Sequence, residues 1–150
     1  MKVLSVILYS FLLLHLACKP AEESDPRPPV SMVPEIDIKS IDPIELQQFE
    51  TVIFKIGYLD GDGNIGDEDA DVHALEILDN RQNILHSFHV PPQSPIENIA
   101  IEGVLVVEVE NVILLDQSNT SESLTFNIRL KDRAGNWSNT VTSQTLTVTK

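Results

Sequence analysis

The sequence predicts one all-β domain, an antiparallel β-sandwich of the immunoglobulin or fibronectin-III type, with a small β-barrel as the alternative. From residue 33 onward apolar and polar residues alternate, which is typical of strands with one face in the core and one in water. No window has the period of an amphipathic helix. Proline and glycine separate about six to eight short segments, as in a sandwich. A chain of 150 residues has room for one such domain, predicted over residues 33–150.

The strands are predicted from this alternation, which is clearest in residues 51–59 and 123–131. Residues 79–83, DNRQN, have the composition of a hairpin turn. The parity of residues 140–148 changes part-way along the segment, which predicts a β-bulge. The remaining predicted strands are residues 35–41, 73–78, 84–90 and 99–110.

The first 17 residues are predicted to be a signal peptide that is not part of the domain. Lys2 supplies a positive charge, and residues 3–17 carry no charged side chain. A helix of that length spans about 22 Å, which is short of the ~30 Å hydrocarbon core of a bilayer. The segment is therefore too short for a permanent span.

The sequence Leu16-Ala17-Cys18 resembles the lipobox of bacterial lipoproteins, and this resemblance implies that Cys18 is lipidated and becomes the first residue of the mature chain. The alternative is ordinary cleavage into a soluble secreted protein, which His15 and Lys19 disfavour because that cut needs small residues nearby. Cys18 is the only cysteine, so a disulfide framework is excluded. The net charge of −13 argues against binding to nucleic acid or to anionic lipid, so membrane attachment falls to the acyl chains.

Residues 18–32 are rich in proline and almost free of apolar side chains, which predicts a semi-extended tether. At ~3.1 Å per residue it would hold the domain up to roughly 40 Å from the bilayer. The acidic pair Glu22-Glu23 behind the cysteine resembles the surface-export signal of Bacteroidota lipoproteins. We therefore expect an outer-membrane lipoprotein that is exposed on the cell surface, with a periplasm-facing lipoprotein as the alternative.

Two further motifs resemble known families. Residues 132–136, DRAGN, resemble the turn that joins the last two strands of bacterial Ig-like domains. Together with DGDGNIG at residues 60–66, they make the chain similar to small Bacteroidota surface lipoproteins that carry this acidic loop in a single Ig-like domain. The resemblance implies architecture and location more than activity.

The acidic loop is a candidate calcium site. Asp60, Asp62 and Asn64 have the spacing by which calcium loops bring side-chain oxygens to one ion, and the intervening glycines allow a tight turn. Ile65 stands where an EF-hand has its invariant glycine, and no flanking helices are predicted, so the loop is not an EF-hand. Calcium needs six to eight oxygens, and the further candidate ligands are the Gly66 carbonyl, Asp67, Glu68, Asp69, Asp71 and, across the two loops, Asp132.

Asp132 is a candidate ligand because of the predicted topology. Because residues 51–59 and 123–131 are predicted to leave the sandwich at the same pole, Asp132 is expected near the acidic loop, close to where the tether enters. The alternatives are a solvated acidic loop, in which Asp132 caps its own turn, or a metal other than calcium.

No nucleophile, zinc-protease or phosphate-loop motif is present, and an unshielded acidic cluster lacks the contrasting environments that acid–base catalysis needs. We expect a lipid-anchored, calcium-stabilised binding or structural module without enzymatic activity. Its partner would be an unidentified protein or glycan. The alternative is a carbohydrate-binding lipoprotein that uses Trp137 and its neighbouring loop residues, because an exposed tryptophan can stack on a sugar ring.

Overall fold

A computed structural model describes residues 29–96 and 98–150. The predicted signal peptide, Cys18 and tether residues 19–28 lie outside the described residues. Within those two ranges, no helix has the length and apolar character needed to cross a membrane.

The described residues form strands and turns without a helix, which confirms the predicted fold class. Five of the predicted strands, β1 and β3 to β6, agree with the structure to within about two residues at each end. The strands are β1 Glu35–Asp42, β2 Glu45–Gln47, β3 Val52–Asp60, β4 His73–Asp79, β5 Ile84–His89, β6 Ile101–Val109, β7 Ser121–Leu124, β8 Phe126–Leu130, β9 Val141–Thr142 and β10 Leu146–Thr149.

The strands form the two layers of an Ig-like β-sandwich. One layer has the order β1-β3-β6, and all of its pairs are antiparallel. The sheets β5-β4-β8-β9 and β2-β10-β7 continue one another to form the second layer, because only Thr125 separates β7 from β8. The described sheets stay open, so they do not form the small barrel that was the alternative.

A β-bulge lies where the parity of the last segment changes, as predicted. Asn127 pairs with Thr142, whereas Leu124 pairs with Leu146, so one extra residue is inserted between β9 and β10. The Ser143 hydroxyl accepts a hydrogen bond of 2.9 Å from the Phe126 amide, and the Ser143 amide donates to the Phe126 carbonyl at 2.8 Å. A side chain therefore replaces one backbone acceptor of the ladder.

The short strand β2 was not predicted. It pairs with β10 in parallel through Glu45 to Gln47, whereas the other strand pairs are antiparallel. Three residues are too few to establish an alternating pattern, so this strand depends on a partner that lies about a hundred residues further along the chain.

The core lies between the two layers and contains the inward-facing residues of each strand. In β3, the alternate residues Val52, Phe54 and Ile56 are fully buried. Phe54 meets Phe126 of the facing layer edge to face, with ring centroids 5.3 Å apart and an interplanar angle of 82°. Such a pair contributes about 0.5–1.5 kcal/mol beyond the burial of its area.

A buried charge cluster closes the pole opposite the acidic loop. Arg81, in the β4–β5 turn, lies 2.6 Å from Asp79 and 2.9 Å from Glu122 of β7. Glu122 also accepts the amides of Leu115 and Asp116 at 3.0 and 2.7 Å. These contacts attach the β4–β5 hairpin to the long connection between β6 and β7.

We predict that Glu122→Gln flattens the acid dependence of stability. Hydrogen bonds from the Leu115 and Asp116 amides, with smaller contributions from Asn119 and Arg81, outweigh burial and lower the pKa of Glu122 from 4.5 to about 2. The stabilisation from Glu122 is therefore present above its unfolded pKa and is lost as pH falls towards its folded pKa. The variant should melt at a lower temperature than the parent at pH 7 and should lose less stability between about pH 5 and pH 2.

Thermal melts across that pH range measure the effect, and Glu102→Gln, an exposed charge change on β6, is the matched control. Parallel acid profiles for the parent and Glu122→Gln would show that this cluster does not govern acid unfolding.

Candidate cation site at the acidic loop

The loop of residues 60–66 starts on the core side of the sandwich. Asp60 is the last residue of β3 and pairs with Ile101 of β6. Its position continues the alternating, inward-facing series of Val52, Phe54 and Ile56, and Asp60 is itself completely buried. The period of the strand therefore places a carboxylate on the buried face, where an uncompensated charge is costly.

Three side-chain oxygens of this loop are buried without a hydrogen-bond partner: Oδ1 of Asp60, of Asp62 and of Asn64. Each side chain uses its other polar atom to brace the loop. The Asn64 amide donates to Asp60 Oδ2 at 3.0 Å, and Asn64 Nδ2 donates to Asp62 Oδ2 at 2.9 Å. Leaving a buried acceptor unpaired costs about 1–3 kcal/mol, so three in one loop require a physical explanation.

The surroundings of Asp60 disfavour its charged form. Its pKa is raised above the usual 3.8, most of all by burial, and also by its contact with Asp62 and the like charge there. The amides of Asn64 and Gly63 act in the opposite direction but do not outweigh these effects. A cation between the two carboxylates would favour their charged forms and pair the free oxygens.

The turn that follows β8 meets the acidic loop, as the predicted topology requires. Ile65 forms an antiparallel bridge with Asp132, and the Arg133 amide donates to the Asn64 carbonyl at 3.2 Å. The buried Asp132 carboxylate accepts the Asn136 amide at 2.7 Å and Asn136 Nδ2 at 2.8 Å. Asp132 thus caps its own turn, and because each of its oxygens keeps a second lone pair, these two bonds do not bar it from also binding a cation.

The outer half of the acidic stretch is arranged differently. The Gly66 carbonyl accepts Arg133 Nη1 at 3.1 Å. Asp67 accepts the amide of Asp69 at 2.9 Å, and Asp69 accepts the amide of Asp71 at 3.0 Å. These carboxylates cap successive turns, and Asp69 and Asp71 are exposed. In the described part of the chain, none of these carboxylates joins Asp60 and Asp62 in a group of three that could hold a metal.

The inner half of the loop is therefore the compact candidate site. In the described ranges, no three His, Cys, Asp or Glu side chains converge to hold a metal. The loop instead joins two carboxylates and one amide, Asp60, Asp62 and Asn64. This donor set is made of oxygens alone, as calcium and magnesium prefer, and water or backbone carbonyls would have to complete the shell.

Three glycines let other segments lie directly on this loop. A Cβ on Gly61 would lie 2.5 Å from the Ser31 carbonyl oxygen, and one on Gly63 would lie 2.7 Å from that of Ile99. Gly66, at φ +84°, would collide with the Pro91 carbonyl. Sequence reasoning found the turn-forming role of these glycines but missed the segments packed against them. The only local signal is the spacing of the glycines themselves.

Trp137 lies on the outer side of β8. It forms a bridge with Lys131 and is partly buried. The Arg129 guanidinium carbon is 4.0 Å from the centroid of the indole ring, and the Lys131 ammonium nitrogen is 5.2 Å from it. The ring is thus already engaged in cation–π contacts with its own domain.

Gly66→Ala should destabilise the protein more than Gly135→Ala does. Both glycines have positive φ, 84° and 91°, so each substitution introduces backbone strain of about 1–2 kcal/mol. A Cβ on Gly135 meets nothing within 4 Å, whereas a Cβ on Gly66 overlaps the Pro91 backbone. We expect the loss of unfolding free energy at Gly66 to be about twice that at Gly135 or more. Urea unfolding measures both, and equal losses would show that the loop does not depend on this close contact.

Comparison of the chain with protein-family models, with curated proteins and with solved structures gave no match. The interpretation of the acidic loop therefore rests on its own geometry: two carboxylates and an amide with unpaired buried oxygens, at the pole where four segments of the chain meet.

Proposed function

We propose that the chain is a lipid-anchored Ig-like module of the bacterial cell envelope, with a binding or structural role, whose acidic loop is stabilised by calcium. One observation carries the calcium proposal: the three buried, unpaired oxygens of Asp60, Asp62 and Asn64. The lipid anchor is supported by the lipobox-like sequence before Cys18 and by the Pro-rich segment that follows it.

Calcium fits this donor set better than other ions. All three free atoms are oxygens, whereas most transition metals prefer sites that contain nitrogen or sulfur ligands. Two carboxylates balance a divalent charge, and calcium accepts the irregular shell that a tight loop provides, whereas magnesium requires near-octahedral geometry. With only two charged ligands we expect weak binding, in the ~10⁻⁴–10⁻³ M range of extracellular modules.

The burial of these oxygens favours a structural role for the ion. Each free atom is inaccessible to solvent, so an ion bound there would lie beneath the loop, where a substrate cannot reach it. A catalytic metal keeps a coordination position open to substrate, and the burial of these three oxygens favours a structural ion instead. This arrangement therefore supports a binding or structural module, and we propose no reaction for it.

The pole opposite the acidic loop is the better candidate for contacting a partner. Phe49 precedes β3 there, 66% of its surface is exposed, and its backbone has φ 74°. The left-handed backbone of this aromatic residue costs about 1–2 kcal/mol, and only a third of its surface is buried to offset that cost, which favours a role in contacting another molecule. The glycan alternative through Trp137 has less support, because Arg129 already lies against that ring.

Calcium should raise the melting temperature of the full chain in detergent, relative to the same protein in chelator. At about 100 times the Kd, an ion that binds only the folded state adds about 2.7 kcal/mol, which corresponds to a shift of roughly 8 °C. Calorimetric titration measures the binding directly, and Asp62→Asn should abolish both effects. An identical melting temperature in calcium and in chelator would remove the cation site from this proposal.

Two controls sharpen this experiment. Asp71→Asn removes an exposed carboxylate of the outer loop and should leave calcium binding nearly unchanged.

Because only ionised Asp60 binds the ion and its pKa is raised, the calcium affinity should fall as pH decreases towards that pKa, since a proton then competes with the ion for the carboxylate. Affinity that is constant across the acid range would argue against Asp60 as a ligand.

Cys18→Ser should move the protein from the membrane fraction to the soluble fraction of cells that process the parent chain, because the acyl chains then have no attachment point. External protease applied to intact cells distinguishes the two placements: loss of the parent domain indicates a surface lipoprotein, and protection indicates a periplasm-facing one. A Cys18→Ser chain that stays with the membranes would contradict the lipid anchor.

A further inference from the structure

We propose that a cation held by Asp60, Asp62 and Asn64 also fixes the N-terminal segment, residues 30–31, against the domain, so that ion occupancy sets the direction in which the chain leaves its attachment. This inference rests on the proposed cation site. It extends that site from a local stabiliser to a control on the orientation of the whole domain.

The contact between the N-terminal segment and the loop is made by backbone alone. The Gly61 amide donates to the Ser31 carbonyl at 2.8 Å. A Cβ on Gly61 would lie 2.5 Å from the Ser31 carbonyl oxygen and 2.6 Å from that of Val30. The two backbone segments are therefore in contact with no side chain between them. A contact this close tolerates displacements of only a few tenths of an ångström.

Gly61 lies between the two candidate ligands in the sequence, so its position depends on theirs. The carboxylates of Asp60 and Asp62 both contact Asn64, at 3.0 and 2.9 Å, so they lie close together and repel each other when both are charged and no ion is present. Separating them turns the peptide units on both sides of Gly61 and moves its amide. The same displacement would also reach residues 98–99, because the Asp62 carbonyl accepts a hydrogen bond from the Asn98 amide at 2.8 Å.

The N-terminal segment has little else to hold it in place. Residues 29–32 are all exposed, with Val30 at 39% and Met32 at 68% of their full surface, and β1 does not begin until Glu35. So little apolar burial cannot offset the entropy of fixing several residues, which costs about 1–2 kcal/mol each. The hydrogen bond to Gly61 is therefore the contact on which docking depends.

Linkage makes the coupling reciprocal. If calcium strengthens docking of the segment by some factor, docking strengthens calcium binding by the same factor. With the ion bound, the chain would leave the domain in one direction. Without it, the exposed residues before the buried Pro34 would pivot freely, and the domain would lose its fixed orientation relative to any N-terminal anchor.

A spin label on Met32→Cys tests this in the full chain carrying Cys18→Ser, kept in detergent micelles. We expect the label to rotate roughly threefold more slowly, or slower still, in saturating calcium than in chelator. A label on Leu85→Cys, an exposed position on β5 away from the loop, should show the same mobility in both conditions.

Gly61→Ala separates docking from ion binding. It keeps all three oxygens, but its methyl group meets the Ser31 and Val30 carbonyls. The Met32→Cys label should then stay mobile in calcium, while calorimetry still detects binding, weakened by the coupling factor. Asp62→Asn should lose both calcium binding and the immobilisation.

The outcomes distinguish the two proposals. Calcium binding by calorimetry, with a Met32→Cys label whose mobility does not respond to it, would overturn the coupling and leave the cation site intact. Absence of any calcium binding by the parent chain would overturn both. A label immobilised equally in calcium and in chelator would show that docking is intrinsic to the fold and would also reject the coupling.

Discussion

The arrangement of the acidic pole depends on one constraint: the alternation of β3 places the Asp60 carboxylate on the buried face of the sandwich. The residues that precede it on that face are Val52, Phe54 and Ile56, which are apolar, and Tyr58, whose hydroxyl donates to Gln93. Asp60 ends the series at the rim of the core, beside Asp62, where water is excluded from its Oδ1. A carboxylate in this position must be protonated, hydrogen-bonded or paired with a cation, and the amides of Gly63 and Asn64 supply only part of the compensation.

The acidic stretch therefore consists of two structures. Residues 60–64 hold three buried, unpaired side-chain oxygens, and the two glycines there, Gly61 and Gly63, let two other segments pack against the backbone. Residues 67–71 run outward, where Asp67 and Asp69 each cap the turn that follows and the carboxylates of Asp69 and Asp71 are exposed. Arg133 lies between the halves, with its amide on Asn64 and its guanidinium on Gly66. The high local charge is tolerated because only its inner half is buried.

Much of this was accessible from the sequence, because it follows from local periodicity. Alternation located the long strands, and the parity change in residues 140–148 located the bulge at Ser143. The direction of strands β3 and β8 was enough to bring Asp132 to the acidic loop. What periodicity cannot give is contact between backbones that are distant in the sequence. The parallel pairing of β2 and the docking of Ser31 on Gly61 have no side-chain pattern, and the spacing of Asp132 and Asn136 allowed both a ligand and a cap.

The two poles of the sandwich present the same physical problem with different solutions. At one pole Asp79 and Glu122 both pair with Arg81, a cation that the chain itself supplies, and the pKa of Glu122 is lowered to about 2, mainly by the amides of Leu115 and Asp116 and least by Arg81. At the other pole Asp60 and Asp62 lie together, burial and like charge act on Asp60, and its pKa is raised. Glu122 and Asp60 thus deviate in opposite directions: amide hydrogen bonds outweigh burial at Glu122, whereas burial and the neighbouring Asp62 outweigh them at Asp60. Arg81 is an internal cation that pairs with both carboxylates of the first pole, and the free oxygens of Asp60, Asp62 and Asn64 are where we propose that the second pole binds an external one.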